Sequence, residues 1–250
     1  MDVVPLPLLG VFFGAYLVGG ALGFGTAMVA VTFGAQLLSL GELLPLVVPM
    51  NLSLASYLCL RYRRHVDFRL LFRRILPLVA LGLPFGMALF RFRDVRGFRL
   101  AFGVLVTGLA GLQLRREGQR RRGAPMTALP RPVGRGLLWL GGLIQGLFLT
   151  GGPLIVYVLG REIEDKRTFR STLAAMWLPV NGTLFVGYAA QGLYTPRVMG
   201  GLTQVWLPTV LGLLAGELVH HRLNANRFRL AVWGMLLLGG IVLVARAIPS

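Results

Sequence analysis

A chain of 250 residues with 55% hydrophobic and 14% charged residues and a mean hydropathy of +0.70 carries far less charge than the roughly 25% of a soluble domain, which excludes an ordinary water-soluble fold and points to the bilayer. The net charge of +17 raises nucleic acid as a partner, but nearly all of it is arginine crowded between apolar segments, as membrane topology requires, so no nucleic-acid partner is expected. The single cysteine, Cys59, excludes an intrachain disulfide and any multi-cysteine metal site, and neither a metal nor a cofactor is expected.

In chain order, "MDVVPLPLLG" has no basic residue before Arg61. It lacks the positive n-region of a secretory signal peptide, so the first apolar stretch is expected to stay in the mature protein. That stretch runs from about 6 to 39 and is laced with glycine in "GGALGFGTAM". Stretches long enough to span, about 17 to 25 residues, follow at roughly 43–60, 70–90 and 98–114. Residues 115–135, "RREGQRRRGAPMTALPRPVGR", have no apolar period and read as a basic cytoplasmic linker. Further apolar stretches lie at 136–160, 169–190, 198–218 and 228–245. The predicted fold is an all-α polytopic membrane protein with about eight hydrophobic segments, divided into a first repeat (1–114), the linker (115–135) and a second repeat (136–250).

The two halves match at a constant offset of 130. "FRLA" stands at 98–101 and again at 228–231; Gly82 and Gly86 recur as Gly212 and Gly216; Pro49-Met-Asn51 recurs as Pro179-Val-Asn181. Three matches in register predict an internal duplication. Glycines four apart share one helix face and let another backbone approach, so Gly82, Gly86, Gly212 and Gly216 are expected to pack helices.

Basic residues discriminate between two topologies. If 136–160 crosses once, 15 of the 26 Lys and Arg lie inside; if it turns back and re-emerges on its own side, 20 do. The second arrangement fits better, at the cost of an outward-facing "RFRDVRGFR", and it makes the repeats inverted with the first segment of each broken or re-entrant. "LFLTGGPLIV" supplies a breaker in Gly151, Gly152 and Pro153, and "GGALGFGTAM" is its counterpart with Gly25 and Thr26.

Bare backbone at membrane depth must be buried in protein or line a wet cavity. A break also leaves unpaired N–H groups at the start of the next half-helix, which favours anions. Asn51 and Asn181, each two residues after a proline, are expected to approach the midplane beside the breaks. There they supply amide donors to a small oxyanion with Thr26, Gln145 and Thr150, or they tie helices together, worth about 0.6 to 2 kcal/mol. For the two threonines, helix-internal bonding is the stronger expectation.

Glu42, Glu117, Glu162, Glu164, Asp67, Asp94 and Asp165 all fall in expected connections, leaving Glu217 at a segment end. Strong ion coupling, which intramembrane carboxylates would mark, is therefore not expected. An anion leaving a negative-inside cell gains about 2.3 kcal/mol per charge per 100 mV, so electrophoretic export needs no coupling residue. Glu217-x-x-His220 puts both side chains on one helical face, but a metal site would need ligands beyond these, His221 and His65, so a helix end carrying His and Arg in its last turn is the stronger expectation. No Gly-x-Ser-x-Gly, no His-Glu-x-x-His and no intramembrane Asp pair appears, so no enzyme activity is expected.

Six stretches resemble the sulfite exporter TauE/SafE family of membrane permeases: "GFGTAMVAV" (23–31), "VVPMN" (47–51), "VDFRLLFRRILPLVALGLPFG" (66–86), "TGGPLIVYVL" (150–159), "KRTFRSTLA" (166–174) and "FRLAVWGMLLLGG" (228–240). The resemblance covers nearly the whole chain outside the linker and rests on the order and spacing of short motifs. It implies two related halves and movement of sulfite or an organosulfonate, generally outward. Gly151, Gly152 and Pro153 match the family's break; Gly23-Phe24-Gly25-Thr26 departs from its usual glycines followed by proline, and Phe24 could reshape the cavity. Another small anion such as a carboxylate, or a non-transporting membrane protein of the same fold, is the alternative. The expected partners are a small anionic substrate, the lipid bilayer and a second copy in a homodimer. The expected location is a bacterial cytoplasmic membrane, crossed several times.

Overall fold

The structure is a computed structural model that describes residues 4–22, 24–90, 96–121, 129–163, 165–220 and 225–247. The regular elements among them are all helical. The first apolar stretch divides into α1 (Leu6–Leu22) and α2 (Thr26–Gly34). Gly25 stands between them at φ 90°, a left-handed conformation that glycine adopts without a Cβ clash.

Helix α3 (Leu40–Tyr62) continues through Pro45 and Pro49, and a 3-10 turn, Arg63–His65, follows. The next span is assembled from α4 (Phe68–Leu70), a π turn (Leu71–Ile75) and α5 (Leu76–Leu89). Asp67 starts it by accepting the Leu70 N–H at 2.9 Å. Pro77, two residues past the π turn, lacks the N–H that the i→i−4 ladder needs, which accounts for the widened turn there.

Helix α6 (Arg96–Arg121) runs well beyond the expected limit at 114. Glu117, expected in a connection, is helical and buried. On the other side of the linker α7 (Arg131–Phe148) begins earlier than expected, with Pro132 in its first turn, where a missing N–H costs nothing. The 136–160 stretch then divides into α7 and α8 (Gly152–Glu162). After it come α9 (Lys166–Ala190), which passes through Pro179, then α10 (Pro196–His220) and α11 (Ala225–Ala247).

Among the described residues, four helical stretches are long and apolar enough to cross a membrane by length and composition: Leu40–His65, Phe68–Leu89, Arg167–Ala190 and Pro196–Leu218. Leu6–Ala21, Leu100–Arg115 and Val232–Ala245 are shorter apolar helices. Leu81, Phe85, Val186 and Leu238 are each about 60% exposed or more, a surface suited to lipid rather than water.

The chain forms two compact units, each drawing helices from both sequence halves. One contains α1, α2, the first residues of α3, α6, most of α10, and α11. Inside it α1 packs on α10 at backbone contact: a Cβ on Gly212 would collide with the Phe13 carbonyl, and one on Gly216 with the Leu17 carbonyl. Helices α6 and α11 approach through Gly103 and Gly240. The α2 residues Thr32 and Phe33 lie against Gly239.

The other unit contains the rest of α3, then α4, α5, α7, α8 and α9. Its closest pair is α5 and α7. A Cβ on Gly82 or Gly86 would strike the carbonyl of Trp139 or Leu143, and one on Gly142 or Gly146 that of Val79 or Leu83. Such contact without side chains lets dispersion and backbone dipoles hold helices where lipid removes the hydrophobic driving force. Phe90 stacks on Tyr188 at 5.3 Å between ring centroids.

Candidate functional site

The α7–α8 break is built by an abrupt reversal. Leu149 ends α7 in the left-handed region at φ 60°, a conformation that disfavours a branched side chain. The chain then folds back so that Gly151 lies on the carbonyl of Gly141. Ile155 packs on Gly141 and Val158 approaches Gly134, so α8 runs antiparallel to α7. Only glycine fits at 151, because any Cβ would enter that carbonyl.

Gln145 fixes the reversal from within. Its Oε1 accepts the Gly151 N–H at 3.1 Å, and the side chain is buried. The Gly151 carbonyl accepts from Leu154 and Ile155, at 3.2 and 3.4 Å, and Pro153 has no N–H to offer. Among the described residues no acceptor is seen for the Gly152 N–H at the start of α8. The adjacent Thr150 hydroxyl is buried and has no hydrogen-bond partner among the described residues. A buried hydroxyl without a partner costs about 1–3 kcal/mol, and a ligand oxygen would remove that cost. The helix-internal bond expected for Thr150 is not formed.

Asn181 sits on α9 in the same unit. Its Nδ2 donates to the Trp177 carbonyl at 2.9 Å, a bond within α9 and not the tie between helices weighed against ligand binding, while its Oδ1 is buried with no hydrogen-bond partner among the described residues. The Trp177 ring faces Gly152 at the start of α8, which links α9 to the break. Sequence reasoning missed Trp177, since nothing in its spacing marks it off from the other aromatic residues of the spans.

Asn51 is also buried, on α3. Its helix repeats a detail of α9: the Ser53 hydroxyl donates to the Pro49 carbonyl and the Thr183 hydroxyl to the Pro179 carbonyl, both at 2.9 Å. Ser53 and Thr183 were legible as an extension of the Pro-x-Asn match, at the same offset. These hydroxyls bind the carbonyl of each proline.

Gly25 and Thr26 belong to the other unit, where no side chain caps α2. The first bond of α2 runs from Val29 N–H to the Gly25 carbonyl at 3.0 Å, so the amides of Thr26, Ala27 and Met28 precede any intrahelical acceptor. Thr26 is buried and Phe24 half-buried. The structure thus brings Gln145, Thr150, Gly151, Gly152 and Pro153 together at one break, with Trp177 joining Asn181 to it. Gly23, Asp94, Glu164, His221 and the His220 side chain lie outside the described residues. Among the described residues no group of three or more His, Cys, Asp or Glu side chains could hold a metal.

No curated protein and no solved structure matches the chain. The family model for the sulfite exporter TauE/SafE matches residues 8–243, a span that includes both helix breaks and both Pro-x-Asn helices, and the chain therefore belongs to the sulfite exporter TauE/SafE family of multi-pass membrane permeases for sulfite and related anions.

Proposed function

We propose that the protein exports sulfite or a small organosulfonate across the cytoplasmic membrane of a bacterium, and that the α7–α8 break holds the anion in passage. The observation that carries this reading is the buried Thr150 hydroxyl, without a partner among the described residues, beside the Gly152 N–H, for which none is seen there either. Both are donors at a helix N-terminus, where the partial positive charge favours an anion.

Depth supports it as well. Gly151 rests on Gly141, ten residues into α7 and about 15 Å along it, half of a hydrocarbon core of roughly 30 Å. With Arg131 taken at the membrane surface, Gly151 falls inside the hydrocarbon core, after the chain has turned back at Leu149. There the re-entrant pair exposes backbone only where a wet cavity can satisfy it. The α2 break, with Gly25 and Thr26, is the corresponding break of the other repeat. The matching glycine contacts of α5 on α7 and α10 on α1 favour reading the halves as related repeats.

Asn181 Oδ1 adds an acceptor, suited to the proton of a singly protonated oxyanion such as hydrogensulfite. The test is flux of labelled sulfite into proteoliposomes by Asn51→Leu, Asn181→Leu and the double variant. Loss of flux with unchanged thermal unfolding is expected; a folded, fully active double variant contradicts the assignment of both asparagines.

A further inference from the structure

At the opposite end of the α7–α8 hairpin from the break, a cavity of about 220 Å³ opens among Arg74, Arg131, Arg135, Arg161 and Glu162. These residues come from three separate elements: the π turn, the first turns of α7 and the last turn of α8. Glu162 is the one carboxylate among them, and it is occupied by Arg74 at 3.0 Å. Arg161 lies over the Tyr157 ring at 4.6 Å. Arg131 and Arg135 are exposed and make no ion pair among the described residues. Four guanidinium groups therefore face one carboxylate, and the start of α7 adds a partial positive charge.

The cavity has an apolar floor, formed by Leu78, Leu138 and Val158. Beyond it, along the same two helices, Leu81 and Phe85 are about 60% exposed and Trp139 is 38% exposed. Phe85 and Trp139 touch, with ring centroids 6.3 Å apart. A cationic cleft opening onto a lipid-facing apolar strip fits a ligand with an anionic head and hydrocarbon tails. A soluble phosphate would use the arginines and leave the strip idle.

We propose that this cleft is a specific site for an anionic phospholipid, its phosphate held by Arg131, Arg135 and Arg161 and its acyl chains laid along α5 and α7. Guanidinium pairs phosphate through two parallel hydrogen bonds, and basic pockets between spanning helices bind such headgroups. The site is separate from the α7–α8 break and does not depend on which anion is transported.

The test uses the full chain in nanodiscs of phosphatidylcholine, titrated with cardiolipin or phosphatidylglycerol and read by native mass spectrometry. Saturable retention of one anionic lipid is expected. Arg131→Gln with Arg135→Gln should weaken it at least about tenfold, while Arg63→Gln with Arg64→Gln, outside the cleft, should leave it unchanged. Glu162→Gln, which releases Arg74, should tighten binding, so the site is tested in both directions. Millimolar inorganic phosphate should not displace the lipid. Equal losses in the two double variants would mean diffuse surface charge and overturn the proposal; displacement by phosphate would mean a soluble-anion site and overturn the lipid assignment.

Discussion

Gln145 Oε1 accepts the backbone N–H of Gly151 at 3.1 Å, six residues along the chain and fully inside the protein. One side chain thus substitutes for the helix ladder where α7 stops and reverses. Replacing it by leucine strands a buried N–H, at a cost of about 1–3 kcal/mol. Gln145→Leu should lower the unfolding temperature in detergent and reduce sulfite flux by more than the lost folded fraction, because the break itself shifts.

Thr150 separates ligand contact from structure. Thr150→Val keeps the shape and removes a hydroxyl that has no partner, so stability should hold or rise. Flux should fall, and Thr150→Ser should restore it. Thermal unfolding and proteoliposome uptake measured on the same preparations decide the matter.

Glycine contacts predict a position-specific pattern along α7. Gly142→Ala and Gly146→Ala place a methyl into the Val79 and Leu83 carbonyls, and overpacking of this kind costs about 1–3 kcal/mol. Gly136 has nothing within contact distance, so Gly136→Ala should be neutral or gain up to about 1 kcal/mol. On α10 the same contrast is expected between Gly212→Ala and Gly200→Ala. Unfolding temperatures of the five variants check it.

Asp165 gives a pH dependence of known sign. Its carboxylate accepts the Thr168 N–H and hydroxyl, both at 2.8 Å. The backbone bond first and then the hydroxyl bond hold its pKa below the ordinary value. A lowered folded pKa means that the cap stabilises α9 above the unfolded pKa, about 3.9, and is lost as pH falls through the lowered value. Wild type should therefore lose stability below about pH 4 more steeply than Asp165→Asn, which caps without titrating. Melting curves from pH 3 to 7 measure the difference.

Much of this arrangement could be read in the sequence because membrane helices carry strong local signals. Apolar length located the four long helices, and Gly151-Gly152-Pro153 located the break, since only glycine could sit at 151 against the Gly141 carbonyl. The limits of α6 and α7 were misplaced because arginine-rich ends look like linker while still extending a helix into the interface. The partners of Gly82 and Gly86 were visible as Gly142-x-x-x-Gly146, yet pairing between distant glycine faces is decided by tertiary contact. Trp177 had no local signal; its role comes from where α8 turns back, which residue spacing does not encode.

The most direct test of the central claim is flux of labelled sulfite in proteoliposomes under an imposed potential, competed by taurine, sulfoacetate, sulfate and acetate. The account predicts voltage-dependent sulfite flux, competition confined to sulfur oxyanions, and loss of flux in Thr150→Val. Absence of sulfite flux, or competition by acetate alone, would contradict a sulfur oxyanion as the substrate held at the α7–α8 break.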